Sequence, residues 1–315
     1  MQSNVPDERE EYDKYKSALA PIGLKENPEC SRQISYIAKR AFLNIPYKES
    51  GAAKSLDIFL PDEGNGPFPV IIEIHGGGWF FGCKCSKRFA PVFEGIKRGY
   101  AAVSLDYTLS SSEKFPVQIE EIKTAVRFLR AHAADYHLDP THIALWGESA
   151  GAHLAVVTGA SNGTNFLDGM RFGWTGYSSK VQAVVALCPP IDLAGCHRYA
   201  GGKNGARSQE GVLLGGDPQT AEYLVKVADP TTYLDEQASP CFIQMAELDT
   251  IVPPEQGRSF EKSYKKKVGR DTVYLEELKG AVHNDPMFRI SENRNKIYAF
   301  LNRYMKEIRK GEEVF

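Results

Sequence analysis

Ile143-Ala-Leu-Trp-Gly-Glu-Ser-Ala-Gly-Ala-His-Leu-Ala-Val-Val157 passes from a short apolar run, through a pair of glycines flanking a serine, into an alanine-rich segment. The first four residues suit a buried strand, and Ala150 onward suits a helix. Between them, Gly147-Glu148-Ser149-Ala150-Gly151 fits the pattern G-x-S-x-G. In a strand–turn–helix context this pattern makes a tight turn that pushes the serine hydroxyl out beyond the sheet edge. The following helix N-terminus offers backbone N–H groups and a positive dipole end to a developing anion. A simple glycine-rich connection between strand and helix is the plainer reading of the same five residues.

Outward from this stretch, short apolar runs alternate with helical patterns. Phe42–Tyr47 and Ser55–Leu60 read as early strands, followed by a turn at Pro61-Asp-Glu-Gly-Asn-Gly66. Pro69–Ile74, Tyr100–Leu105, Ile143–Trp146, Val181–Leu187, Cys241–Met245 and Val273–Leu278 read as further strands. Their scarcity of polar breaks suits strands buried on both faces of a parallel sheet. Helices are expected at Pro116–Tyr136, Ser149–Thr158, Pro254–Val268 and Ser291–Ile308. In the first of these, Ile119, Ile122, Val126 and Leu129 fall at steps of three and four and mark one apolar face. Alternating strands and helices predict an α/β architecture with a mostly parallel, doubly wound sheet. Residues 194–228 interrupt the rhythm with Gly201, Gly202, Gly205, Gly215 and Gly216, which predicts an insertion or small cap near the active-site end. Residues 1–35 are charged and irregular, with a short helix expected over Asp7–Leu19. They read as an extension, a lid or a dimer contact, ahead of a catalytic domain at 36–315.

Composition bounds the partners. Among 315 residues, 38 Lys and Arg face 40 Asp and Glu, so there is no basic excess of the kind nucleic acid requires. Lys265-Lys-Lys267 is flanked by Glu261, Glu276 and Glu277 and reads as a solvated helix face. No stretch approaches the ~20 apolar residues of a membrane helix, and the first ten residues lack the apolar core of a secretory signal. The expectation is a cytoplasmic protein without membrane attachment. Cys30, Cys83, Cys85, Cys188, Cys196 and Cys241 are scattered and read as thiols. Cys83-x-Cys85 has no second pair nearby, so no metal site is expected there.

His75-Gly-Gly-Gly-Trp79 directly follows the strand ending at Ile74. Three glycines let backbone N–H groups converge on one point, where they can hold the oxyanion of a tetrahedral intermediate. No Lys-Ser/Thr pair follows, which weakens the rival reading as a phosphate loop. A serine nucleophile needs a base and an orienting carboxylate. Asp249 follows the Cys241 strand and His283 follows the Val273 strand. The order Ser149, Asp249, His283 is the order this fold uses. His75, His132, His137, His142, His153 and His197 are less well placed. Asp106 and Tyr107 sit where they can brace the glycine loop. Trp79, Phe80 and Glu148 are the candidate pocket residues, with core packing or a structural hydrogen bond as the rival roles.

With Leu105-Asp-Tyr-Thr-Leu-Ser110, Phe115–Arg130, Leu138-Asp-Pro-Thr-His-Ile143 and Glu210–Gly216, these motifs resemble the hormone-sensitive-lipase-like and feruloyl/acetyl-xylan esterase branch of the α/β hydrolases. The resemblance covers roughly residues 40–305. It implies the α/β-hydrolase fold, an oxyanion hole from the N–H groups of Gly77, Gly78 and Ala150, no cofactor, and hydrolysis of small-molecule esters with short acyl groups, acetylated sugars among them. An arylformamidase uses the same motifs, and an inactive binding module can share the fold. Two departures stand out. Met245-Ala246 replaces a frequent His-Gly before the acid, and Val282-His-Asn284 replaces a frequent Gly-His-Gly. Glu247 is a second carboxylate near the acid position; the register of Asp-x-x-Val-Pro favours Asp249.

Overall fold

A computed structural model describes residues 38–306. The expected helix at 7–19, the remainder of the 1–35 extension with its lid or dimer role, and Cys30 lie outside the described residues. Eight strands form one sheet: β1 (Ala41–Pro46), β2 (Ser55–Phe59), β3 (Phe68–Ile74), β4 (Ala101–Leu105), β5 (Leu138–Glu148), β6 (Ala183–Leu187), β7 (Cys241–Ala246) and β8 (Val273–Leu278). Their order is β1-β2-β4-β3-β5-β6-β7-β8. β1–β2 and β2–β4 pair antiparallel, and every pair from β4 to β8 is parallel. The chain therefore doubles back between β3 and β5, and both β3 and β5 end at the same edge of the sheet.

Each strand run predicted from the sequence appears, with one substantial change of length. β5 begins at Leu138 rather than at Ile143, because Leu138 already pairs with Phe68 across a register shift. Successive residues of a strand face opposite sides of the sheet. Val70, Ile72 and Ile74 thus join one core, while Ile71 joins the other. The helices α1 (Ala90–Phe93), α2 (Val117–Ala131), α3 (Ala150–Ala160), α4 (Leu193–Tyr199), α5 (Gln209–Leu214), α6 (Glu222–Ala228), α7 (Glu255–Val268) and α8 (Ser291–Met305) cover these faces. The first core packs against α2, α3 and α7 through residues such as Ile122, Leu154 and Phe260. The second packs against α1 and α8 through Val92, Ile297 and Leu301. Burying each such side chain contributes roughly 1.5–3 kcal/mol.

Helix α2 stops at Ala131, five residues before the predicted end. The chain then turns through residues 132–137 to start β5. α3 has no polar face: all eleven of its residues are buried, in keeping with a small and apolar composition broken only by His153 and Thr158. Lys265, Lys266 and Lys267 are exposed on the last turn of α7, as the flanking acids suggested. The glycine-broken stretch between β6 and β7 carries three short helices, α4 to α6, separated by irregular segments. Among the described residues no helix is long and apolar enough to cross a membrane.

Candidate active site

Ser149 lies between β5 and α3 with φ 55° and ψ −123°, a backbone conformation that non-glycine residues rarely adopt. Its N–H donates to Leu187 O of β6 (2.8 Å), and its carbonyl accepts the first helical bond from His153 N (3.0 Å). The flanking glycines are required by space. A Cβ on Gly147 would lie 2.3 Å from Gly151 O, and one on Gly151 would lie 2.0 Å from Ile74 O. The turn closes only because its two glycines let β5, α3 and the end of β3 meet backbone to backbone.

Two loops at the same sheet edge bring in the partners. Ser149 Oγ–H points to His283 Nε2 at 2.9 Å, and His283 Nδ1–H donates to Asp249 Oδ2 at 2.6 Å. Asp249 is buried, and its other oxygen accepts from Ile251 N (2.8 Å) and Val252 N (2.9 Å). The loops after β7 and β8 are stitched together by Glu247 N→Leu278 O (3.1 Å) and Leu248 N→Ala281 O (2.8 Å). Glu247 itself is exposed and accepts from Gly280 N (2.7 Å); it does not bond His283. Such a chain can take a proton from a hydroxyl, hold it on the imidazole and balance the resulting cation.

The glycine loop faces this chain across a cleft lined by Gly77, Gly78, Trp79, Ser149, Ala150 and His283. Gly77 and Gly78 have φ 113° and 57°. A Cβ on Gly77 would meet Phe81 O at 2.2 Å, and one on Gly78 would meet Gln209 Oε1 at 1.9 Å. Of the two expected braces Tyr107 touches the glycine loop, its Oη donating to His75 O (3.0 Å), whereas Asp106 Oδ1 accepts from Lys84 N (2.8 Å), five residues beyond Trp79. The pocket residues divide. Trp79 lines the cleft, and its Nε1–H donates to His153 Nδ1 (3.2 Å). Phe80 is not on the cleft wall; Phe81 is. The reason is the turn at Gly77, whose carbonyl accepts from both Phe80 N and Phe81 N and rotates the second aromatic inward. Glu148 is not on the wall either; both its oxygens accept from Arg289 Nη2 (2.6 and 2.8 Å).

The electrostatics separate the buried groups. Burial raises the Glu148 carboxyl, but Arg289 and Arg88 outweigh it and leave the group below its ordinary range, as an anion. Burial pushes Glu73, within β3, up to about 8, against a hydrogen bond from Ser104 Oγ (3.0 Å). Burial pulls His153 down to about 4, so it is neutral, with Nδ1 accepting from Trp79 and Nε2–H donating to Ala228 O (2.9 Å). The ligand atoms of Cys188, Asp249 and His283 lie within 4.8 Å of one another. Burial and the Asp249 charge hold the Cys188 thiol well above its ordinary value, which keeps it protonated. Cys83 and Cys85 are both buried, and Cys85 Sγ–H donates to Asp57 Oδ2 at 3.1 Å.

Several residues at the site were not singled out as site residues in the sequence, although Glu210 opens one of the motifs that carry the resemblance. Arg289 sits six positions after His283 in no motif. Gln209 and Glu210 reach the cleft from α5, within the stretch of short helices between β6 and β7. Arg88 reaches it from the segment between β3 and β4.

The sheet order and the strained serine turn define an α/β hydrolase. A family model described as BD-FAE matches residues 56–264, and the chain belongs to that family. Esterase LipQ of Mycobacterium tuberculosis is 30% identical over 246 residues, which is 76% of this chain and 56% of LipQ. The probable carboxylic ester hydrolase LipM of the same organism is 28% identical over 247 residues, 74% of this chain and 54% of LipM. The chain thus spans little more than half the length of either relative. A solved structure described as a truncated carbohydrate esterase from gut microbiota superposes with a TM-score of 0.76 at 25% identity, covering 86% of this chain and 98% of that one.

Proposed function

We propose that the protein is a serine carboxylesterase acting on small-molecule esters with short acyl groups, acetylated sugars among them. The observation that carries this reading is the unbroken hydrogen-bonded chain Ser149–His283–Asp249 facing Gly77, Gly78 and Ala150 in one cleft. Ser149 Oγ attacks the ester carbonyl while His283 Nε2 takes its proton. Asp249 holds the imidazole in the required tautomer and balances the imidazolium. The N–H groups of Gly77, Gly78 and Ala150 hold the oxyanion. His283 then protonates the leaving alcohol, and water releases the acyl group by the same steps in reverse order.

The substrate class is supported by the wall of the cleft. Trp79 and Phe81 stand beside the glycine loop, and Gln209 lies over Gly78, so little space adjoins the oxyanion position for a long chain. A long acyl group gains only ~0.8 kcal/mol per methylene, and only where a wall receives it. Arg88, Gln209 and Glu210 give the same cleft polar lining suited to a hydroxyl-rich alcohol. The names of LipQ, LipM and the carbohydrate esterase point to the same reaction class. The test is kcat/KM for p-nitrophenyl esters from acetyl to palmitoyl, for acetylated xylosides, and for an N-formyl arylamine. The expected maximum lies at acetyl to butyryl. A maximum at lauroyl or longer identifies a lipase, and a larger value for the formamide identifies an arylformamidase; either result overturns the reading.

A further inference from the structure

We propose that Arg289 is a positioning residue, a guanidinium strap that fixes the Ser149–His283 contact by binding the chain neighbour of each. The inference rests on the triad reading above. Glu148 immediately precedes Ser149, and Asn284 immediately follows His283. Arg289 Nη2 donates to Glu148 Oε1 (2.6 Å) and Oε2 (2.8 Å), while Nη1 donates to Asn284 O (3.2 Å). One planar group therefore spans both sides of the 2.9 Å Ser149–His283 hydrogen bond.

The need for a strap follows from how His283 is carried. Residues 279–285 contain no helix or strand, and Asn284 has φ 61°. The loop's other ties are Gly280 N to Glu247 and Leu248 N to Ala281 O on the β7 side of the histidine, a turn between Val282 and Asp285, and a hydrogen bond from the Asn284 backbone to the Cys188 thiol just beyond β6. Only the Cys188 contact approaches the serine turn, which is built by β5 and α3, and it does so indirectly, through β6 and a weakly accepting thiol. Arg289 supplies the direct link, to the residue before Ser149, and is itself well anchored. It ends a single turn, Pro286–Arg289, whose first N–H, that of Met287, is capped by Asp285 Oδ1 (2.9 Å). Phe288 is buried beside it, with its carbonyl bound by Asn293 Nδ2 (2.9 Å), and Arg294 donates to the Arg289 carbonyl.

The charges agree with this placement. Glu148 lies among Arg289, Arg88, His283, Glu73 and Cys188. Removing Arg289 leaves a buried anion short of its bidentate partner, and such an anion relaxes by moving or by drawing in water. Either response shifts the residue next to the nucleophile. A guanidinium is needed rather than an ammonium, because only a fork reaches a carboxylate and a carbonyl together.

The experiment uses the full chain and four variants: Arg289→Gln, Arg289→Lys, Glu148→Gln and the double Glu148→Gln/Arg289→Gln. Active sites are titrated with a fluorophosphonate, so that kcat for p-nitrophenyl acetate is expressed per reactive serine, and Tm is measured beside it. A misplacement on the order of 1 Å costs up to ~100-fold, so Arg289→Gln is expected to lower kcat by about 10- to 100-fold with KM changed less than about threefold. Arg289→Lys restores part of the loss. The double variant is no worse than the poorer single, because the two side chains act as one unit. Wild-type kcat per titrated site in Arg289→Gln, with only Tm lowered, overturns the proposal, as do losses that multiply in the double variant. If Arg289→Gln does not fold, Arg289→Lys and Glu148→Gln decide: wild-type kcat in both overturns it. Ser149→Ala is run alongside. Full turnover by that variant refutes the triad itself, whereas a dead Ser149→Ala beside a normal Arg289→Gln refutes the strap alone.

Discussion

Asp249→Asn is a nearly isosteric change with a large expected effect, and its size follows from the three hydrogen bonds that Asp249 accepts. Oδ2 takes His283 Nδ1–H at 2.6 Å, and Oδ1 takes the N–H groups of Ile251 and Val252 at 2.8 and 2.9 Å. All three partners are donors. An asparagine oxygen can serve one side only, so its NH2 must face either the imidazole or the two backbone N–H groups. Keeping the backbone pair satisfied turns the NH2 toward Nδ1. The imidazole must then carry its proton on Nε2, where it faces Ser149 Oγ and can no longer accept. Loss of the right tautomer costs about 10⁴-fold in kcat, and the imidazolium loses its balancing charge as well. That factor corresponds to roughly 5 kcal/mol of transition-state stabilisation. Glu247→Gln is the matched control, since Glu247 is exposed and its one contact, from Gly280 N, is to an oxygen that an amide retains. It is expected to fall less than about threefold, in line with a surface change that keeps its hydrogen bond. The assay is kcat/KM for p-nitrophenyl acetate on both variants, with far-UV circular dichroism and Tm to establish folding. A folded Asp249→Asn within tenfold of wild type, beside a Glu247→Gln crippled by 100-fold or more, refutes the reasoning.

Three further outcomes are expected. Glu73 holds its proton up to about pH 8 in the folded chain against an ordinary value of 4.5, so the unfolded chain binds fewer protons between those limits and stability falls as pH rises through them. Glu73→Gln should flatten that slope in urea unfolding at pH 5, 7 and 9, and an unchanged slope contradicts the assignment. His153→Leu strands both Trp79 Nε1 and Ala228 O in a buried site, for an expected loss of about 2–4 kcal/mol; a loss under about 0.5 kcal/mol in the same unfolding assay would show that neither bond matters. Gly151→Ala places a Cβ 2.0 Å from Ile74 O, so it should abolish fluorophosphonate labelling or expression of folded protein, and a normally labelled, normally stable variant rules out the close approach described.

The parts of the fold legible in the sequence are those with a repeating signal. Val70–Ile72 and Ala183–Leu187 are apolar without interruption because both faces of their strands are covered, and the two glycines around Ser149 are there because backbone meets backbone on both sides. The segment 87–98 folds as consecutive turns of three to five residues, too short to show a period. Helices α4 to α6 are hidden for the same reason, and so was the route by which Gln209 reaches Gly78. Phe81 rather than Phe80 faces the cleft because a double hydrogen bond to Gly77 O turns the chain, which residue identity alone does not announce. Glu148 drew notice for its place beside the serine, but its partner Arg289 is 141 positions away, and no local pattern joins them.

The central claim is that Ser149 forms a covalent acyl-enzyme on its way to product. The direct measurement is mass spectrometry of the intact chain and its tryptic peptides after brief reaction with a fluorophosphonate and, separately, after acid quench of p-nitrophenyl acetate turnover. The account predicts a single adduct on the peptide holding Gly147–Gly151, assigned to Ser149, a transient acetyl on the same residue, and neither in a folded Ser149→Ala variant that has lost turnover by about 10⁴-fold or more. An adduct on a different residue, or wild-type turnover by folded Ser149→Ala, contradicts it.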